Sequence, residues 1–143
     1  MNDNPVVDQP FDDPVETRFY INDTTPPQLV DFLLFDLRND LIELEFSETF
    51  NISTFDPTAI LIQNWGYNNS DPSFNPIQLS GGFGFVQVDD ITLRFTLTQY
   101  DMNLIKQDTA LCVNDKECVI RFTSEVIQDM SRNQAAELND TES

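Results

Sequence analysis

The stretch DITLRFTLTQYDMNLIKQDTALCVNDKECVIRFTSEVIQDMSRN (residues 90–133) decides the fold. Ile91, Leu93, Phe95 and Leu97 alternate with Thr92, Arg94 and Thr96, the period of two expected of a half-buried strand. Thr98, with Asp101 three residues on, resembles a capping box in which Asp replaces the usual Glu. It predicts a short helix over about residues 99–106, with Tyr100, Leu104 and Ile105 inward and Asp101, Asn103 and Lys106 outward. A loop bounded by Cys112 and Cys118 leads into a second strand over 118–124, and the stretch closes on the acidic turn DMSRN. The cysteine spacing suits a local disulfide and hence an oxidising compartment; the other reading is two free thiols in a reducing one.

Upstream, the same signals repeat. QLVDFLLF (28–35) reads as a strand with apolar residues on both faces, DLRND (36–40) as a tight turn, and LIELEF (41–46) as a strand that alternates Ile42, Leu44 and Phe46 with Glu43 and Glu45. TAILIQN (58–64), PIQLS (76–80) and FGFVQV (83–88) read as further short strands, and a single helical turn is expected near Ser53–Phe55. The total is about seven to eight strands with turns every few residues and one short helix, the pattern of an all-β antiparallel sandwich. Residues 1–21 read as an extended arm or linker, although ETRFYI (16–21) has the makings of a short strand. The domain is expected over 22–133, with 134–143 a flexible acidic tail or linker.

Composition narrows the function. Seven basic residues face 25 acidic ones, a formal charge of −18 in 143 residues. Nucleic acid needs clustered Lys and Arg, so it is excluded as a partner, and an anionic membrane surface is disfavoured on the same ground. Excess carboxylate suits either a solvated acidic surface or divalent-cation sites, Ca²⁺ foremost. The absence of His removes the commonest general base and transition-metal ligand. No Ser–His or Cys–His scheme and no phosphate loop occurs, so no enzyme activity is expected. No apolar run approaches the about 18 residues that span a bilayer. The first residues carry neither a basic n-region nor an apolar h-region, so the leader of a secreted protein would have to lie upstream. Sequons at Asn22, Asn51, Asn68 and Asn139 are compatible with secretion. Trp65, Tyr67 and Phe74 share one polar loop, with Phe83 and Phe85 not far on. They either fold back over the sheet edge or present an aromatic face to a glycan, the alternative reading being a carbohydrate-binding module.

DTTPPQLVDF (23–32), LEFSETF (44–50), FDPTAILIQ (55–63), ITLRFTLTQYDMNLIK (91–106) and DMSRN (129–133), in that order, resemble an immunoglobulin-like repeat. Such repeats stand in tandem in large secreted or cell-surface proteins: bacterial giant adhesins, S-layer-type Ig-like modules and long repeat proteins of aquatic eukaryotes. The chain departs from the pattern at Arg132, where Gly is usual, and in DLRND, which is shorter than the family's acidic loop. The resemblance implies a non-catalytic, extracellular spacer or assembly module whose partners are neighbouring modules or other copies in a filament or surface layer. It also implies Ca²⁺ held by junction carboxylates, which carry over to Asp23, Asp129 and Asn133, with Asp36 and Asp40 as additions. Ca²⁺ takes 6–8 oxygens, which Asp, Asn and turn carbonyls supply. For Asp129 and Asn133 the competing reading is a plain Asx-type turn.

Overall fold

The computed structural model describes residues 14–64, 76–113 and 118–138. The strands are β1 (Leu29–Asp36), β2 (Leu41–Phe46), β3 (Phe50–Asn51), β4 (Ile60–Asn64), β5 (Ile77–Gln78), β6 (Phe83–Asp89), β7 (Thr92–Thr96), β8 (Cys118–Phe122) and β9 (Gln128–Asp129). Among the described residues one helix, α1 (Gln99–Gln107), and short 3₁₀ turns connect them. A four-stranded sheet runs β1-β2-β7-β6, a three-stranded sheet runs β5-β4-β8, and β3 and β9 form a small ribbon. All the strand pairs are antiparallel.

The alternation in β2 and β7 does what it predicts. Ile42, Leu44 and Phe46 are fully buried, and Ile42 and Leu44 lie opposite Phe95 and Leu93. On the other face Glu43 opposes Arg94, with the ion pair at 3.1 Å. Ile60, Ile62, Ile120 and Phe122 of the second sheet enter the same core. The Phe46 and Phe122 rings meet across it at 6.5 Å. The β1–β2 turn is held by Asp36, whose carboxylate accepts from the Arg38 N–H (2.9 Å), the Asn39 N–H (3.2 Å) and the Asn39 side-chain amide (2.7 Å). Those bonds, the Asn39 amide foremost, hold the Asp36 carboxyl below its ordinary pKa.

Helix α1 forms where expected, and the Thr98 hydroxyl accepts from the Asp101 N–H at 3.1 Å. Its inward face differs from the expectation. Tyr100 is 64% exposed, whereas Asp101 is fully buried beside Met102 and Ile105. The reason is a partner distant in sequence: the Ser80 N–H donates to both Asp101 oxygens, at 3.0 and 2.9 Å, and so satisfies a carboxylate that burial alone would penalise.

Two segments differ from the sequence reading. Residues 16–21 form no strand and pair with nothing among the described residues. Residues 134–138, expected to begin a flexible tail, pack on the domain: Ala135 is buried, and Leu138 exchanges two backbone hydrogen bonds with Phe122 (3.1 and 3.0 Å).

Replacing Asp101 with Ala strands the Ser80 N–H and is expected to lower stability by about 1–3 kcal/mol in urea unfolding. Asp101→Asn, which keeps an acceptor, recovers part of that loss. Equal stability of the Ala variant and the parent would remove the role assigned to this bond.

Candidate metal centre

Three segments converge at one end of the domain. β9 pairs with β3, placing Phe50 opposite Asp129 and Asn51 opposite Gln128. Glu48, in the link from β2 to β3, therefore comes beside Asp129. The entry segment joins them through the Asn133 side-chain amide, which donates to the Asp23 backbone carbonyl at 2.9 Å. Carboxylate oxygens of Asp23, Glu48 and Asp129 lie within 4.8 Å of one another.

DMSRN is an Asx-type turn, and it also supplies a carboxylate to the cluster. One Asp129 oxygen accepts from the Ser131 and Asn133 N–H groups, each at 2.8 Å, and the other accepts from the Asn133 amide at 2.8 Å. Asp129 is only 3% exposed. Asn133 spends its amide nitrogen on Asp129 and Asp23, so it clamps the carboxylate-bearing segments together. Asp23 braces its own turn by accepting from the Thr25 N–H at 3.0 Å.

Glu48 is the odd member. Its Oε1 is buried and has no hydrogen-bond donor among the described residues. Partial burial, and then the charges of Asp23 and Asp129, push its carboxyl above the ordinary value of 4.5. The two ion pairs between described residues, Glu43–Arg94 and Asp40–Lys106, lie elsewhere. Converging carboxylates, one of them with a buried oxygen that meets no donor among the described residues, match a hard divalent cation that takes oxygen ligands, which favours Ca²⁺ over metals that prefer sulfur or imidazole. Comparisons with family models, curated proteins and solved structures returned no match.

The cluster unites Asp23, Asp129 and Asn133 of the sequence-predicted set. Asp36 and Asp40 do not join it. They sit at the turn end of the β1–β2 hairpin, while Glu48 follows its other end, roughly 20 Å away at the rise of a strand. Asp40 instead faces Lys106, at 3.7 Å. Sequence reasoning missed Glu48, although LEFSETF places it directly after the most regular strand; its partners lie far along the chain, where no periodicity points.

Of the remaining candidates, Cys112 and Cys118 form a disulfide across six residues. Asn22 is exposed, and the Asn51 side chain caps a 3₁₀ turn by accepting from the Ser53 N–H at 3.1 Å. Trp65, Tyr67, Phe74, Asn68 and Asn139 lie outside the described residues. Phe85 packs its ring on Phe55 (5.1 Å) and Phe95 (6.4 Å), and Phe83 is exposed.

Two measurements follow from this geometry. Because the folded Glu48 carboxyl is raised, its ionised form costs stability; that cost is complete above the folded pKa and disappears as pH falls below 4.5. In chelator, Glu48→Gln is therefore expected to melt higher than the parent at pH 7, with the gap closing below about pH 4.5. A gap independent of pH would refute the assignment. Arg132 holds φ 71°, the left-handed region that Gly enters freely. Arg132→Gly is expected to be more stable than Arg132→Ala by about 1 kcal/mol, since both remove the charge and only Gly relieves the backbone.

Proposed function

We propose that this chain is a non-catalytic immunoglobulin-like module of a larger extracellular or surface protein, a spacer or assembly unit stiffened at its junction by Ca²⁺. The observation that carries it is the convergence of Asp23 in the entry segment with Glu48 and Asp129 in the body of the domain. A cation there would tie the incoming chain to the module it enters and limit hinging between modules.

Strand order supports the fold part of the reading. With β1, β2, β4, β6, β7 and β8 taken as A, B, C, D, E and F, the four-stranded sheet becomes A-B-E-D, and β5-β4-β8 becomes C′-C-F. Among the described residues the seat of strand G, beside β8, holds a single bridge, Phe122 to Leu138. The disulfide favours an oxidising compartment, and among the described residues no helix is long and apolar enough to cross a membrane.

Calorimetric titration with Ca²⁺, and melting in Ca²⁺ against chelator, tests the proposal. Ca²⁺ is expected to raise the melting temperature, with about 2.7 kcal/mol of added stability at a hundredfold excess over Kd. Glu48→Gln should abolish most of that shift while the domain stays folded. No heat of binding and no shift would remove Ca²⁺ from the proposal.

A further inference from the structure

The G-strand seat beside β8 opens into a groove of mixed polar and apolar lining between the two sheets. Two adjoining cavities, of about 450 and 220 Å³, run along it and share Asp31, Phe32 and Cys118 in their walls. Leu29, Phe35, Leu37, Ile120 and Leu138 supply further apolar lining. Phe122 turns its backbone groups outward to Leu138, so the alternation of the strand turns those of Ile120 the same way, where they meet no partner among the described residues. The groove thus offers apolar side chains and, among the described residues, an open strand edge together.

The same chain carries a segment that fits it. In Val15–Ile21, Val15, Thr17, Phe19 and Ile21 fall on one face of an extended strand, and Glu16, Arg18 and Tyr20 on the other. Val15 is 80%, Phe19 82%, Tyr20 81% and Ile21 89% exposed, a cost in water that the domain itself does not relieve. The segment has the pattern of a strand and pairs with no sheet among the described residues; β8, beyond its bridge to Leu138, has an edge that no described residue pairs.

Direction decides between its own groove and a neighbour's. The entry and closing segments run side by side, with Asp23 at Asn133 and Pro27 at Ala136, and Leu29 and Leu138 both reach the groove. Followed backwards from Asp23, the arm therefore leads away from its own groove. We propose that Val15–Ile21 of one copy inserts as a β-strand beside β8 of a second copy, joining copies head to tail. This deepens the assembly-unit reading and rests on it, but not on the cation. The contact is heterologous, each copy giving an arm and receiving one, so it propagates into a filament unless the rotation closes a ring.

The test uses the full chain, the variant Phe19→Asp/Ile21→Asp, and a synthetic peptide of residues 14–22. Both substituted side chains are exposed, so the variant is expected to fold as the parent does. Sedimentation velocity should show concentration-dependent oligomers of the parent and a monomeric variant, its self-association weakened at least about tenfold. The peptide should bind the variant and slow hydrogen exchange at Ile120. The proposal is overturned by a parent that stays monomeric and a peptide that does not bind, by oligomers indifferent to the substitutions, by protection at β6 in place of β8, or by an arm protected within the monomer. Each arm is run in Ca²⁺ and in chelator. A Ca²⁺-dependent melting shift without arm binding sinks strand donation alone; arm binding without the shift sinks the cation alone.

Discussion

The burial of Phe46 is the constraint on which the rest depends. It ends the apolar face of β2 and meets Phe122 of the opposite sheet at 6.5 Å and Phe50 at 5.5 Å, with no exposed surface. Phe50 is buried as well, so the three residues between them have little freedom. Burying a Phe contributes about 1.5–3 kcal/mol. That drive carries Glu48, held between two buried rings, into contact with carboxylates it would avoid as a free chain. The acidic cluster is a consequence of core packing and has no stability of its own in the absence of a counter-charge.

Electrostatics across the chain therefore divides into two kinds. Asp36 and Asp89 have carboxyls held below their ordinary values by donors: the Asn39 amide for the first, the Ile91 N–H for the second. Their ionised forms favour folding, and the benefit is lost as pH falls through their folded pKa values. Glu48 has the opposite sign, because its burial comes with like charges and without a donor. In a chain of charge −18, a carboxylate site that penalises folding when ionised stands apart from the solvated acidic surface around it. Asp101, also buried, differs in that a backbone N–H, that of Ser80, donates to both of its oxygens.

What the sequence made legible was local. The alternation in β2 and β7, the Asp36 turn, the Thr98 cap and the cysteine loop all depend on neighbours within a few residues. What it hid was set by distant partners. Asp101 faces inward because Ser80 waits there, so it takes the inward place that Tyr100 was expected to fill, while Leu104 and Ile105 face the core as expected. Glu48 was invisible because the β3–β9 ribbon that brings Asp129 to it is two residues long on each side, too short to leave a periodic signal. ETRFYI looked like a strand from its residue types, and within this chain it is not one; propensity for a pleated surface is fulfilled only where a sheet edge is available.

These hidden features meet at one place in the chain. Asp23 lies two residues beyond Ile21, so whatever fixes Asp23 also fixes the direction in which the arm leaves the domain. Asn133 clamps its backbone, and a cation shared with Glu48 and Asp129 would clamp its side chain. An arm with a rigid root loses less freedom when its strand is seated in another copy than one free to swing, and the saved entropy appears as affinity. If both proposals hold, the carboxylate cluster and the arm are parts of one device, in which the junction sets the aim and the apolar face supplies the hold. The direction of that coupling is fixed by linkage: a cation that orders the arm's root favours seating, and a seated arm in turn favours the cation.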